Sequence, residues 1–205
     1  MEQKQRPLGR PRQNKNTKSK KEMILEVATR LFLTQNYQVV SMDEVAKVCG
    51  VTKATVYYYY STKADLFTAT MLKMMIRIRE NMHQILSTNK NLEERLLDFA
   101  KVYLHATIDI DIKNFMKDAK LSLSEEQLKE LKDAEDNMYE VLEKALDNAM
   151  QIGEIPKGNA TFAAYAFVSL LSMGHFKDES HNDFPSQIDD LAKEIVSFYW
   201  NGLGH

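Results

Sequence analysis

The sequence is poor in the residues that build tight turns, long loops and disulfide bridges. Its 205 residues include seven glycines, four prolines and a single cysteine, Cys49. So few turn-forming residues argue against a β-rich or loop-rich fold. One cysteine cannot form an internal disulfide and is typical of a reducing compartment, so we expect a cytoplasmic protein. Cys49 itself is interpreted as a small packed side chain rather than a redox sensor.

Signals for the membrane and for secretion are also missing. The sequence has no apolar run of about 18 residues, the length that a membrane-spanning helix needs. Its N-terminus is basic, but no apolar segment follows as in a secretory signal. We therefore expect no membrane partner.

Enzyme motifs are absent as well. There is no glycine-rich phosphate loop, no G-x-S-x-G, no H-E-x-x-H and no pair of cysteines. We therefore expect no enzyme activity, no catalytic residue, no cofactor and no metal ion. His175, Glu179 and His181 could be drawn as a metal site, but they fall in a polar loop without cysteine, so chance spacing is the preferred interpretation.

Charge is distributed unevenly along the chain, although the net charge is only −2. Residues 1–63 contain 12 Lys/Arg and 5 Asp/Glu, whereas the rest of the chain contains 15 Lys/Arg and 24 Asp/Glu. The first part is therefore basic and the remainder acidic. This asymmetry indicates a nucleic-acid-binding head on an acidic body.

Apolar residues recur at helical spacing along most of the chain. The first helix is predicted to begin near Ser19, which forms a capping box with Glu22, and to end at Asn36. Further helices are predicted over about 63–87, 92–108 and 160–176 and after Pro185, with residues 109–121 less regular. Another is predicted to end near residue 152 and to begin at Ser122 or at Ser124, which can form a capping box with Gln127. The predicted fold is all-α, with a three-helix N-terminal head and a C-terminal helical body.

The stretch Ser41–Lys63, SMDEVAKVCGVTKATVYYYYSTK, contains two short helices joined by a glycine turn. Ser41 and Glu44 are expected to form a capping box at the start of the first helix. Gly50 can adopt the left-handed conformation that ends such a helix. Thr52 can then cap the second helix.

Four consecutive tyrosines, Tyr57–Tyr60, follow the inward-facing Val56 on this second helix. At 3.6 residues per turn they cannot all point inward. Either one or two are core residues with exposed neighbours, or the helix enters the major groove of DNA. In the second interpretation Thr55 and Tyr57 reach base edges, and Tyr58, Tyr59 and Lys63 hold phosphates. The predicted DNA contacts of this stretch are Ser41, Thr52, Lys53, Ala54, Thr55, Tyr57, Tyr58, Tyr59 and Lys63.

The segment from about residue 20 to 67 closely resembles the helix-turn-helix of TetR-type (TetR/AcrR) bacterial transcriptional repressors. The matching features are the apolar first helix and the pieces S-M-D-E-V-A, C-G-V-T-K, T-V-Y-Y-Y-Y and S-T-K-A-D-L. Members of that family usually have phenylalanine or valine in place of Tyr60, and often histidine in place of Tyr58 or Tyr59. We accordingly expect a DNA-binding domain over residues 19–63 and a ligand-binding and dimerisation domain over residues 64–205.

Residues 1–18 are basic and have little apolar material, which predicts a disordered arm. The piece Gly9-Arg10-Pro11-Arg12 resembles the core of an AT-hook, in which arginines enter the minor groove of A·T-rich DNA. The arm is therefore either a solubilising tail or a segment that follows DNA through Arg10 and Arg12.

The last two predicted helices are apolar over more than one face, which indicates that both sides are covered. The resemblance implies the same, since TetR-type proteins dimerise by packing their last two long helices into a four-helix bundle. Such a homodimer would present two recognition helices to the two half-sites of an inverted repeat in double-stranded DNA.

The middle helices are rich in methionine and aromatic residues, which occur both in ordinary cores and at adaptable binding surfaces. The resemblance implies a pocket for a small-molecule inducer in this region. Tyr103, His105, Asn137 and Tyr139 are candidates for its polar groups. The residues predicted to line it are Met71, Met75, Phe99, Tyr103, Phe115, Met116, Met138, Tyr139, Phe162 and Tyr165.

Two functions stay open from the sequence. The first is a homodimeric repressor of a palindromic operator that a small apolar or amphipathic ligand releases. The helix that begins at Lys63 leaves the head and enters the body. A shift at its far end could therefore tilt the recognition helix, so that this long helix acts as a lever. The alternative is a DNA-binding regulator with a packed, ligand-free body, switched by a protein partner or constitutive. An apolar void in the body would favour the first.

Overall fold

The computed structural model describes residues 18–107, 117, 119–175 and 187–203. In these ranges the chain forms eight α-helices, one 3₁₀ helix and no β-strand, which confirms the all-α prediction. The helices are α1 Lys20–Gln35, α2 Met42–Cys49, α3 Lys53–Tyr59, α4 Lys63–Leu86, α5 Leu92–Thr107, α6 Glu125–Gln151, α7 Ala160–Leu171 and α8 Ile188–Gly202. None of the described helices is long and apolar enough to cross a membrane.

Some of the predicted features fall outside this part of the chain. They are the basic arm with Arg10 and Arg12, the pocket candidates Phe115 and Met116, and the loop with Glu179 and His181.

Most predicted helix ends are found where the local sequence places them. Capping boxes form at Ser19 and Ser124, Asn36 ends α1 with φ 67°, and Gly50 ends α2 with φ 65°. The capping box predicted at Ser41 is only half formed. Ser41 accepts from the backbone N–H of Glu44, whose carboxylate instead accepts a 3.0 Å hydrogen bond from the Gln35 side chain.

The seventh helix is shorter than predicted. α7 ends at Leu171, and the chain tightens into a 3₁₀ helix over Ser172–His175. Tighter i→i+3 turns are common at helix ends, where the last carbonyls lack partners.

The hydrophobic core of the head includes part of the long helix that follows it. Phe32 of α1, Tyr37 and Phe67 of α4 form an aromatic cluster with ring centroids 5.0–6.0 Å apart. Met71 of α4 and Leu131 of α6 are buried in the same core. The head therefore packs directly on the two long helices of the body, so movement of these helices can reach it.

The body has its own core, built from the second half of α4 and from α5 to α8. Phe99, Phe167 and Tyr199 form a chain of aromatic contacts at its centre, with centroid distances of 6.1 and 4.8 Å. The Tyr199 hydroxyl donates a 2.9 Å hydrogen bond to the carbonyl of Ala163. Burial raises the pKa of Tyr199, so this phenol stays neutral.

A nearly buried ion pair joins three segments at the end of the body remote from the head. The Arg95 side chain donates to Glu154 at 3.2 Å and to the carbonyl of Leu86 at 2.8 Å. The same Glu154 carboxylate accepts the backbone N–H of Leu92. The Arg95 side chain is only 10% exposed and that of Glu154 22%. This cluster thus ties the end of α4, the start of α5 and the loop after α6 together.

Candidate nucleic-acid interface and ligand cavity

Helix α3 is attached to the head by one fully buried side chain, Val56, and by Tyr60 just after it. Thr52 caps its first turn, because its hydroxyl accepts the backbone N–H of Thr55 at 3.2 Å and lies 2.9 Å from the Thr55 hydroxyl. Ala54 is exposed beside them. The remaining surface of this short helix is therefore open for contact.

The four tyrosines divide between core and surface. Tyr57 and Tyr58 are 42% and 82% exposed, Tyr59 is half-buried against the head, and Tyr60 is 5% exposed. Tyr58 and Tyr59 meet edge to face at 5.0 Å. The Tyr60 hydroxyl is buried without a hydrogen-bond partner in the described part of the chain. Tyr60 thus acts as a core aromatic ring, whereas Tyr57 and Tyr58 project from the head.

Two predicted contact residues already have partners within the protein. Lys53 forms an exposed 2.8 Å ion pair with Asp43 on α2, and the hydrogen bond between them raises the pKa of Lys53. Ser41 is exposed, with its hydroxyl used for the cap of α2. A DNA phosphate would compete with Asp43 for the Lys53 ammonium group.

Lys63 lies at the start of α4, folded back onto the head. Its ammonium group donates to the carbonyl of Gln38 at 3.2 Å and lies 4.5 Å from the centre of the Tyr37 ring. Partial burial lowers the pKa of Lys63. The side chain is half-buried, with its charge held against the segment between α1 and α2.

A cavity of about 250 Å³ lies in the body between α4, α5, α6 and α7. Its wall is mostly apolar, as in typical small-molecule pockets. The described residues that line it are Met74, Met75, Ile78, Asn81, Met82, Ile85, Phe99, Val102, Tyr103, Ala106, Glu135, Met138, Tyr139 and Val168. α4 supplies six of these, so one face of this helix forms a wall of the cavity.

Five of the residues predicted to line a pocket surround this cavity: Met75, Phe99, Tyr103, Met138 and Tyr139. Three others lie elsewhere. Met71 is one turn closer to the head than Met75 and is buried in the head core. Phe162 lies exposed on the outer face of α7. Tyr165 is not a lining residue, but its ring stacks on the lining residue Tyr139 at a centroid distance of 4.3 Å.

The polar groups of the cavity differ from those expected. Tyr103 and Tyr139 are present, but His105 is exposed and pairs with Asp189 at 3.2 Å, and Asn137 is an exposed residue outside the lining. Asn81 and Glu135 are present instead. Burial, together with the Glu135 carboxylate, raises the pKa of Tyr139 to about 12. Tyr139 therefore enters the cavity as a neutral phenol.

The missed lining residues of α4 follow a pattern that the sequence contains. Met74, Ile78, Met82 and Ile85 recur at helical spacing on one face. Glu135 and Val168 carry no such signal, because only the packing of α6 and α7 against α4 and α5 brings them to the same cavity.

Two long helices connect the cavity to the head. α4 packs most extensively against α6, and both line the cavity. The Gln127 side chain in the first turn of α6 donates a 2.8 Å hydrogen bond to Asp65 in the first turn of α4. Asp65 in turn belongs to the capping box with Thr62, directly after α3. A change in the α4–α6 spacing therefore bears on the residues next to the recognition helix.

Residues 24–70, which include most of this head, match the family model for bacterial regulatory proteins of the tetR family. The head of this chain is a tetR-family DNA-binding domain. The resemblance inferred from Ser41–Lys63 is thereby confirmed.

Relatives and solved structures agree with this assignment. The HTH-type transcriptional regulator YhgD of Bacillus subtilis (strain 168) is 26% identical over 182 residues, 87% of this chain and 91% of that protein. The HTH-type transcriptional activator FasR of Mycolicibacterium smegmatis is 24% identical, over 89% of this chain and 82% of that protein. The crystal structure of AibR with isovaleryl coenzyme A and operator DNA has the same fold, with a TM-score of 0.66, 23% identity and coverage of 88% and 97%.

Proposed function

We propose that this TetR-family regulator is a cytoplasmic homodimeric repressor, which binds an inverted-repeat operator and is released when a small apolar or amphipathic ligand occupies the cavity of the body. The observation that carries the proposal is the position of the cavity. It lies against α4, the same helix whose first turns form part of the head core.

The mechanism follows from the shared helix. A ligand that fits the cavity better when α4 and α6 are farther apart would shift the protein towards that arrangement. The displacement would reach the head through Leu131 and the Gln127–Asp65 hydrogen bond. Each recognition helix would then leave its half-site geometry, and operator affinity would fall.

We assign DNA binding to a domain of residues 19–63, and ligand binding and dimerisation to a domain of residues 64–205. Residues 1–18 are assigned to a basic arm. Within the head, Thr55 and Tyr57 contact base edges. The backbone contacts are assigned to the other exposed or half-exposed residues around α3: Ser41, Thr52, Lys53, Ala54, Tyr58, Tyr59 and Lys63. The arm adds Arg10 and Arg12.

The proposed dimer interface uses the outer faces of α7 and α8. Phe162 and Phe198 are 72% and 71% exposed in the single chain, and Tyr165 and Met173 are also exposed. Large apolar side chains at such positions favour burial against a second copy. A two-fold pairing of these faces fits an inverted-repeat operator.

The cavity also separates the two functions left open by the sequence. A packed, ligand-free body would have no apolar void of about 250 Å³ beside the helix that joins it to the head. The cavity therefore favours the ligand-gated repressor over the constitutive or partner-switched regulator.

The experiment that tests the proposal selects bound sequences from random duplex DNA with the purified protein and then challenges the complex with lipophilic compounds. We expect an inverted repeat that one compound class releases. A selected site without two-fold symmetry would contradict the dimeric operator. An inverted repeat that stimulates transcription in a purified system would contradict the repressor assignment.

Filling the cavity should separate ligand response from DNA binding. In Val168→Phe, the larger ring occupies ligand space, so we expect ligand affinity to fall by at least tenfold while operator affinity stays within about threefold, since the cavity absorbs most of the added volume. Val168→Leu is the graded control and should have a smaller effect. Both affinities are measured by fluorescence anisotropy and calorimetry. Equal ligand release in wild type and Val168→Phe would place the ligand elsewhere.

Lys63→Ala should weaken binding to operator and random DNA by similar factors. Its ammonium group lies beside α3 without reaching base edges in the proposed pose, and a phosphate contact carries no sequence information. The slope of log K against log salt should fall by about one per subunit. Lys144→Ala on α6, which removes an exposed lysine far from α3, is the control and should change neither quantity. A selective loss of operator affinity would reassign Lys63 to base recognition.

A further inference from the structure

A second surface feature lies next to the ligand cavity, on the side nearer the head. It is an open groove of about 430 Å³ between α1 and α4. Arg30 of α1 and Lys73 and Arg77 of α4 line this groove. Met74 lines both the groove and the cavity. The two spaces thus share this flexible side chain as part of their walls.

The groove has an excess of positive charge. Lys73 and Arg77 are one turn apart on the same face of α4. Neither they nor Arg30 forms an ion pair or a side-chain hydrogen bond with another described residue, and all three are exposed. Among the described residues that line the groove, Glu26 is the one carboxylate, and it forms a 2.7 Å ion pair with Lys18. Local hydrogen bonds, and then the charge of Lys73, lower the pKa of Glu26 and of nearby Glu22. Arg30, Lys73, Arg77 and Lys18 outnumber the carboxylates of Glu26 and Glu22, so the local field attracts an anion.

The position of these cations does not suit DNA. Lys73 and Arg77 follow Lys63 by 10 and 14 residues, so they lie roughly 15–20 Å along α4 from the end beside the recognition helix. The body that carries them is acidic overall. A basic groove in this place therefore calls for a partner other than operator phosphate.

We infer that the ligand of this protein is an anionic amphiphile, whose apolar chain fills the cavity and whose negatively charged headgroup crosses Met74 to bind Arg30, Lys73 and Arg77. The inference rests on the proposed ligand site and adds the charge of the ligand. A carboxylate and the phosphates of an acyl-coenzyme A share this chemistry. A headgroup bound by both α1 and α4 would also link the head directly to α4, the helix proposed to transmit the change.

The opposite charge has one argument in its favour. Glu135 lines the cavity and would attract a cationic headgroup. It is one exposed carboxylate on α6, however, whereas the groove combines three cations from two helices. The test therefore includes a cationic probe.

The experiment compares four probes with the same twelve-carbon chain on the full-length protein: laurate, lauroyl-coenzyme A, dodecanol and dodecyltrimethylammonium. Kd is measured by calorimetry, and release from the selected operator by anisotropy. We expect at least one anion to bind tenfold or more tightly than dodecanol, with this advantage reduced by added salt. If laurate is the one anion that binds tightly, the headgroup is a carboxylate. If lauroyl-coenzyme A is the one that binds tightly, the groove recognises the phosphates.

The deciding variant is Lys73→Gln/Arg77→Gln. It should weaken binding of the preferred anion by roughly tenfold, the size of one or two lost charge-assisted hydrogen bonds at a solvated site, and leave dodecanol unchanged. Operator affinity without ligand should also be unchanged. The matched control, Lys129→Gln/Lys157→Gln, removes two exposed lysines outside the groove and should keep the preference for the anion.

The outcomes distinguish the inference from the proposed function. Dodecanol that binds and releases DNA as well as the anions do, or a deciding variant that behaves as the control, overturns the inference and leaves the ligand-gated repressor intact. Tighter binding of dodecyltrimethylammonium than of the anions also overturns the inference and leaves the ligand-gated repressor intact. In that case the headgroup site is assigned to Glu135. Loss of ligand-free operator affinity in the deciding variant would reassign the groove to DNA. Failure of all four probes to bind would overturn both.

Discussion

Tyr57→Ala is expected to abolish most of the discrimination between operator and random DNA. Tyr57 projects from α3 with 42% of its surface exposed, and the proposed pose places its ring at base edges or thymine methyl groups. Such contacts are worth about 1–3 kcal/mol each, and the proposed dimer would make two of them. We therefore expect operator affinity to fall by about 30-fold or more, with a much smaller change for random DNA. Both are measured by anisotropy at one salt concentration.

Two further variants make this result specific. Tyr58→Ala removes a more exposed ring assigned to the DNA backbone, so it should weaken operator and random DNA alike. Tyr57→Phe keeps the ring and removes the hydroxyl, which separates apolar contact from hydrogen bonding. Because Tyr57 is outside the head core, its replacement should leave the melting temperature nearly unchanged. A uniform loss in Tyr57→Ala would mean that this ring holds phosphate.

The largest expected effect on stability comes from Glu154→Ala. The change leaves Arg95 nearly buried without its carboxylate and removes the acceptor for the Leu92 N–H. Breaking a fully buried pair costs about 3–5 kcal/mol, and the partial exposure of Glu154 reduces this to roughly 2–4 kcal/mol. For a chain of this length we expect the melting temperature to fall by roughly 6–12 °C. Thermal unfolding is compared at one protein concentration, because the proposed dimerisation would make the melting temperature depend on concentration.

The matched control is Glu140→Ala, which breaks an exposed ion pair with Lys144 on α6 and should cost about 0.5 kcal/mol or less. Glu154→Gln keeps an oxygen for Leu92 and should fall between the two. Adding Arg95→Met to Glu154→Gln should recover part of the loss, since the buried charge is gone. Equal melting temperatures for Glu154→Ala and Glu140→Ala would show that the cluster contributes no more than a surface pair.

The helix boundaries could be predicted from the sequence because their signals are local. Ser19, Asn36, Gly50 and Ser124 act through side chains or backbone angles within a few residues, and the structure has them in those roles. Helix α3 with its exposed tyrosines follows from the same reasoning. The capping box at Ser41 is only half formed because its Glu44 carboxylate bonds instead to Gln35, nine residues away, which the local pattern does not indicate.

The cavity could be predicted only in part, because its lining depends on how helices pack. Met71 and Met75 share a helix and a residue type, yet one fills the head core and the other lines the cavity. Phe162 is exposed on the outer face of α7, and Tyr165 stacks on Tyr139 without lining the cavity itself. The Arg95–Glu154 pair spans 59 residues of sequence, and no local pattern indicates it.

The attachment of α3 through Val56 and Tyr60 has a consequence for how this regulator can change over generations. The side chains proposed to touch DNA lie outside the core, so substitutions there would alter the recognised sequence at little cost in folding free energy. A duplicated copy of such a gene could acquire a new target site through one or two changes at Thr55 or Tyr57 while keeping its scaffold. Diversification of binding sites would then be limited by selection on the regulated genes rather than by the fold.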